Sequence, residues 1–259
     1  MISTDRVSWF WSKMLALTLL FPVAYLLILS IAAQWIFPSV FPDGLTFERW
    51  TRLLSGGDDL LGSLLLSLGI ALSVATISTL AGFYTSKQLA YHPKRSLWMR
   101  LSYFPFVLSP VIYAAVLYFY FIRMDLAGNF TGVILAQLLI AYPYSVILFS
   151  GFWSDRMHQI EQLVQTLGGG RWQTYRRVLL PMAQGLLLVC FFQTFLISWF
   201  EYGLTTIIGV GKVQTLTLKV FQYINEANFY NAALASSLLV LPPIILLYFN
   251  KKYLFQKRW

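Results

Sequence analysis

The chain has 259 residues, of which 58% are hydrophobic and 11% charged. An average soluble domain carries about 45–50% apolar and about 25% charged residues, so a water-soluble globule is excluded and lipid is the solvent. The net charge of +9, from 19 Lys+Arg against 10 Asp+Glu, admits nucleic acid as a partner only until the bases are placed along the chain.

A helix crossing the hydrocarbon core needs about 20 predominantly apolar residues. The charge-poor runs predict an all-α integral membrane protein with six transmembrane helices near 14–36, 60–86, 101–122, 128–153, 178–200 and 230–250. The first two are separated by a polar stretch from Pro38 to Asp59, with Asp43, Glu48, Arg49, Arg52 and Asp58. The segments show no apolar/polar alternation, which argues against barrel strands. The first run is about 22 residues with no small-residue cleavage site before Trp35, so it is read as a span and not as a secretory signal. The whole chain, 1–259, is one transmembrane domain.

Charge gives the orientation. Arg6 and Lys13, then Lys87, Lys94, Arg95 and Arg100, then Arg156, Arg171, Arg176 and Arg177, and finally Lys251, Lys252, Lys257 and Arg258 fall on one side of a six-span topology. The other side has Arg49, Arg52, Arg123, Lys212 and Lys219. The positive-inside rule puts both termini in the cytoplasm. The bases then serve topology and the anionic lipid surface, and nucleic acid drops out as a partner.

In the second span Ser63, Ser67, Ala71, Ala75 and Thr79 recur every four residues, a face that lets helix backbones approach closely in lipid. Pro22, Pro105, Pro110, Pro143, Pro242 and Pro243 lie inside spans, and each removes a backbone donor and bends its helix. No span carries an ionisable residue at depth, which argues against a proton-coupled pump. No HExxH, GxSxG or paired carboxylates within a span point to an enzyme, and the lone Cys190 excludes a disulfide or a thiolate metal cluster. His92 and His158 read as solvated loop residues.

The stretch 155–177 is the most informative. Ile160, Leu163, Val164 and Leu167 fall at i, i+3, i+4 and i+7, the stripe of a short amphipathic helix. Gly168, Gly169 and Gly170 break it, and a second short helix follows with Trp172, Tyr175 and Leu179 on one side and Arg176 and Arg177 free for a partner or lipid phosphates. Pro181 lies in the opening turns of the fifth span. Such a loop lies in the headgroup layer or seats in a groove of another protein, and the physical pattern leaves both open.

This stretch resembles the EAA loop of binding-protein-dependent ABC importer permeases of the type I fold. Gln162-Leu163-Val164, three residues, Gly168, nine residues, then Val178-x-Leu180-Pro181 matches the spacing of EAA, three residues, G, nine residues, I-x-LP. Trp172-Gln173-Thr174-Tyr175-Arg176-Arg177 is similar to the WQTFRR of many members. The resemblance implies that Glu161, Gln162, Leu163, Val164, Leu167, Gly168, Trp172, Arg176, Arg177, Leu180 and Pro181 couple to a cytoplasmic ATPase. The family's glutamate is Gln162 here, with Glu161 one position early; either Glu161 substitutes for it, or this subunit docks through a weakened polar contact, which suits one half of an asymmetric pair.

Ser198-Trp199-Phe200-Glu201-Tyr202-Gly203-Leu204-Thr205, with Thr215-Leu216-Thr217-Leu218 beyond, is similar to the S-L-D-D-F-x-x-T…T-L-P-L stretch of the spermidine/putrescine, iron(III) and thiamine branch. Glu201, Tyr202 and Thr205 are therefore candidates for the substrate pathway, with Tyr202 offering a cation–π face. The other reading of Glu201 is a carboxylate that ends the helix at the interface.

These readings converge on a non-enzymatic permease of an ATP-driven importer in the bacterial inner membrane. It forms the path for a small solute (polyamine-like, cationic, thiamine or iron). The resemblance implies an ABC ATPase dimer, a second permease (a heterodimer over a homodimer) and an extracytoplasmic solute-binding protein as partners, besides membrane lipid. No phosphate loop G-x-x-x-x-G-K-[ST] is present, so this chain holds no cofactor and ATP-Mg belongs to the partner ATPase. The alternative is an ATP-independent channel or secondary carrier.

Overall fold

The computed structural model describes residues 4–35, 39, 41–56 and 59–255. Pro38, Asp58, Lys257 and Arg258 lie outside the described residues, as do the side chains of Arg6, Lys251 and Lys252. Among the described residues five helices are long and apolar enough to cross a membrane, and six if one bent pair counts as a single span. The chain divides into two compact units.

The first unit joins residues 1–65 to residues 215–244. Helix α1 (Thr4–Ser30) ends six residues before the expected 36, because the chain turns at Ile31 into a short antiparallel pair, β1 (Ala32–Gln34) with β2 (Gly44–Leu45). The polar stretch folds into α2 (Glu48–Leu54). Arg49 donates to the Ala32 carbonyl at 2.5 Å and lies 4.3 Å from the centre of the Tyr230 ring. The Tyr230 hydroxyl in turn accepts from the Trp35 amide at 2.6 Å. The hairpin is thereby tied to the start of α12 (Phe229–Phe255). An amphipathic helix not foreseen in the sequence, α11 (Leu216–Asn225), buries Leu216, Thr217 and Val220.

The second unit joins residues 66–214 to the last residues. Most of α3 (Leu60–Ala90) belongs to it, and the small-residue face of that helix is buried, with Ala71 and Ala75 fully enclosed. The expected continuous span 101–122 is instead α4 (Arg95–Val107) and α5 (Pro110–Arg123), bent by 100°. Leu108 and Ser109 are extended between them, as the ring of Pro110 demands of the residue before it. With a rise of about 1.5 Å per residue neither half reaches across about 30 Å of hydrocarbon. The helices run on through Pro22, Pro105, Pro143, Pro242 and Pro243, so only Pro110 stands at a break.

Helix α6 (Phe130–Ser150) packs into a core with Ile70, Val74, Ala114 and Phe121, completed by Leu204 and Ile208 of a further unforeseen helix, α10 (Gly203–Gly209). Beyond α6 come α7 (Asp155–Thr166), α8 (Arg171–Thr174), a π-helical turn over Tyr175–Leu179, and α9 (Leu180–Trp199). The last three run as one helix, so the helix that carries the fifth span begins at Arg171, seven residues ahead of the expected span. The π turn has a local cause: Pro181 has no amide to bond the carbonyl of Arg177, its ring crowds that carbonyl, and the widened turn makes room.

Candidate functional site

Helix α7 is a two-faced element. Met157, Ile160, Glu161 and Val164, at i, i+3, i+4 and i+7, are half-buried, and every other residue from 155 to 167 is exposed. The stripe read from the sequence therefore divides. Ile160 and Val164 face inward, whereas Leu163 is 60% exposed and Leu167 80% exposed. Gln162 faces outward beside His158, with 3.0 Å between their nitrogens.

The helix stops through local backbone chemistry. The Gly168 amide bonds the Gln165 carbonyl at 3.0 Å and the Gly169 amide bonds the Val164 carbonyl at 2.9 Å, the paired bonds of a Schellman motif. That motif needs a left-handed residue, and Gly168 supplies it with φ +82°. A Cβ on Gly169 would lie 2.6 Å from a Val164 methyl, so the turn is also closely packed. The chain restarts at Arg171, where the Gly170 amide donates to the Gln173 side chain at 3.3 Å and Thr174 donates back to the Gly170 carbonyl at 3.1 Å.

The loop is anchored by aromatic packing. Phe83 of α3 meets Phe149, Phe152, Trp153 and Tyr175 with ring centres 5.0–5.9 Å apart. Leu179, Ala183 and the buried Cys190 complete this core. The Trp153 indole donates to Ser86 Oγ at 2.8 Å. Just past the end of α3, the Tyr91 ring packs at a tilt of 44° against His158, with ring centres 4.8 Å apart. Partial burial, with the nearby Glu161 and Asp155 carboxylates, pushes the Tyr91 hydroxyl above its usual pKa. In contrast Trp172, 69% exposed, borders a cleft with Gln173, Arg176 and Arg177, while Leu180 is half-buried and Pro181 exposed.

Glu201, Tyr202 and Thr205 lie where α9 gives way to α10. One Glu201 oxygen accepts from the Leu204 amide at 2.6 Å; the other accepts from the Thr205 amide at 2.8 Å and the Thr205 hydroxyl at 2.6 Å. This carboxylate closes the first turn of α10. The chain of bonds continues inward: Gln137 Nε2 donates to Thr205 Oγ1 at 3.0 Å, and Ser198 donates to Gln137 Oε1. Gln137, Ser198 and Thr205 are buried, so α6, α9 and α10 share one polar thread in an apolar interior. Sequence reasoning missed Gln137; its signal was the one side-chain amide within the 21 uncharged residues of α6. Tyr202 is partly exposed beside this thread. Among the described residues no group of three His, Cys, Asp or Glu side chains is placed to hold a metal ion.

A family model described as binding-protein-dependent transport system inner membrane component matches residues 78–259. The chain belongs to that family. It is similar to the chloroplastic sulfate permease 2 of Chlamydomonas reinhardtii, 27% identical over 201 residues, which are 70% of this chain and 54% of the relative. The chain thus spans about half the length of that relative. It is also 23% identical over 230 residues to a putative 2-aminoethylphosphonate transport system permease of Salmonella typhimurium, covering 87% of this chain and 85% of that one. A crystal structure of a bacterial ABC transporter involved in import of the acidic polysaccharide alginate shares the fold, with a TM-score of 0.69 at 16% identity over 98% of this chain and 99% of that one.

As an ABC importer permease the chain is a multi-pass inner-membrane protein, not itself an enzyme, and its family works with an ATPase and a substrate-binding protein. The family match begins inside α3, so α1, the hairpin and α2 lie ahead of it. The shared fold extends over α1 to α12, as the near-complete coverage of the alginate transporter chain indicates.

Proposed function

We propose that residues 155–177 are the loop through which a cytoplasmic ATPase drives this permease, with ATP-Mg held by that partner. The observation that supports this best is the outward apolar set Leu163, Leu167 and Trp172, held open at a Schellman-capped break. Glu161, Gln162, Val164 and Gly168 shape α7 and its end. Beyond the break, Arg176, Arg177, Leu180 and Pro181 lie in the unbroken helix that runs from Arg171 through α9, so displacement of the loop is carried along a stiff rod. Both termini are then cytoplasmic, in line with the basic residues on that side.

The pathway reading rests on the polar thread. Glu201, Tyr202 and Thr205 supply polarity beside the path of a small solute. The three donors on Glu201 take up its carboxylate at the start of α10, so this residue by itself does not select a cation. The branch resemblance keeps polyamine-like solutes, thiamine and iron as candidates. The second permease of the complex is a homologous subunit and not a second copy, a reading that Gln162 in place of the usual glutamate supports.

The test is retention of the ATPase in mild detergent by wild type and by L163D/L167D. Burying one leucine contributes about 1.5–3 kcal/mol, and about 1.4 kcal/mol is tenfold in affinity, so the variant releases the ATPase at least tenfold more readily while inserting normally. Unchanged retention overturns the coupling reading. Channel or carrier flux assays would then come first.

A further inference from the structure

The inward face of α7 carries one charged residue, Glu161, and one cation meets it. Lys87 Nζ of α3 forms an ion pair with Glu161 Oε1, and both side chains are largely shielded, 21% and 15% exposed. Lys87 also lies 5.7 Å from the centre of the Trp153 ring. One turn further along the chain, the Tyr91 ring packs at a tilt against His158, one turn before Glu161 on α7. One turn earlier, Phe83 enters the aromatic core and Ser86 takes the Trp153 indole. The end of α3 and the residue just beyond it thus grip α7 and its lead-in at four points, and the ion pair is the central one.

Glu161 cannot be offered to a partner together with Leu163 and Leu167, because it projects from the opposite side of α7. We infer that Lys87 and Glu161 are positioning residues: their pair clamps α7 to the end of α3, so that movement of the loop is delivered to α3 as well as to α9. This functional consequence rests on the coupling reading above, whereas the clamp itself does not. It answers the question raised by the sequence. Glu161 does not replace the missing glutamate of the family motif but holds the helix that would have carried it. The chemistry favours the site. A lysine in the last turn of a helix faces the negative end of its dipole, and partial burial strengthens its attraction to a carboxylate. Breaking such a pair leaves one charge shielded and unpaired, which loosens the contact more than an exposed pair would.

The experiment uses the full complex in inside-out membrane vesicles. Trypsin cleavage after Arg156 and Arg171, the basic residues within and just beyond α7, is timed by mass spectrometry. K87E and E161K each speed cleavage about fivefold, since proteolysis follows the population of the open segment. The exchanged pair K87E/E161K returns to within about twofold of wild type. Wild-type cleavage in either single variant, or no recovery in the exchanged pair, overturns the clamp. Should the reversals not accumulate in the membrane, K87Q and E161Q serve instead: acceleration in both supports the clamp, and wild-type rates overturn it. ATPase retention gives the second readout. The Lys87 and Glu161 variants move together under the clamp; loss with Glu161 variants alone assigns Glu161 to the partner and overturns it. If wild type retains no ATPase, the coupling reading falls while the cleavage comparison still decides the clamp.

Discussion

Gly82 of α3 and Ser145 of α6 touch where their helices cross: a Cβ on Gly82 would stand 2.4 Å from the Cβ of Ser145 and 3.2 Å from its carbonyl carbon. Atoms this close leave room for hydrogen and nothing larger, so the crossing is set by backbone and not by flexible side chains. Gly82→Val forces the two helices apart and lowers stability by about 1–3 kcal/mol. Gly69→Ala on the same helix is tolerated, since its nearest neighbour is a Phe130 ring carbon at 3.9 Å. Thermal unfolding in detergent separates the two; equal midpoints would refute the tight crossing.

At Gly168 the constraint is the backbone itself, as nothing lies within 4 Å of a Cβ placed there. Gly168→Val pushes a β-branched residue into the left-handed region, costing roughly 1–2 kcal/mol, while Gly168→Asn is accepted at a fraction of that. ATPase retention falls for the valine variant and stays near wild type for asparagine. A reversed order would show that space at the break, not φ, decides.

Gln137→Leu removes the bridge between Ser198 and Thr205. Two buried hydroxyl groups then lose a partner, and in membrane proteins such bonds contribute about 0.6 kcal/mol each, so a loss of about 1 kcal/mol is expected. Gln137→Glu is worse, because a second carboxylate enters the thread that ends at Glu201. Stability measured across a detergent or denaturant series, with glutamate below leucine below wild type, checks the order.

The alkaline limb of stability reports on Tyr91. Its pKa is raised in the folded chain, by burial first and then by Glu161 and Asp155, so the native state binds the proton more firmly than the unfolded one. Its contribution is therefore complete below the unfolded value of about 10 and declines as pH rises through the higher folded value. Tyr91→Phe flattens the decline above about pH 10, and Glu161→Gln, which removes one of the two carboxylates, flattens it in part. A Tyr91→Phe profile parallel to wild type would contradict this.

What could be read from the sequence follows from the reach of each signal. Spans announce themselves through long runs without charge, and α1, α3, α6, α9 and α12 all lie on such runs. The buried face of α3 was visible because its small residues recur at the period of the helix. The break of α7 at Gly168 was equally local. By contrast α10 and α11 are only 7 and 10 residues long and carry too few turns for periodicity to separate them from the loops around them. The 100° corner before Pro110 was not separable from five other prolines that α-helices absorb. The pairing of Lys87 with Glu161 spans 74 residues, and Gln137 with Thr205 spans 68; no local pattern encodes contacts of that separation.

The π-helical turn over Tyr175–Leu179 also sets a direction. Each residue in an α-helix advances about 100° around the axis, so the wider turn holds one more residue than an α-helix of equal rise and shifts the angular phase of everything before it. Trp172 therefore faces where it does relative to α9 because Pro181 sits downstream of the turn. Remove one residue from the turn, or give Pro181 back its amide, and the helix tightens. The exposed Trp172 edge is then swung by roughly a quarter of a revolution, with every residue of α9 still in its place.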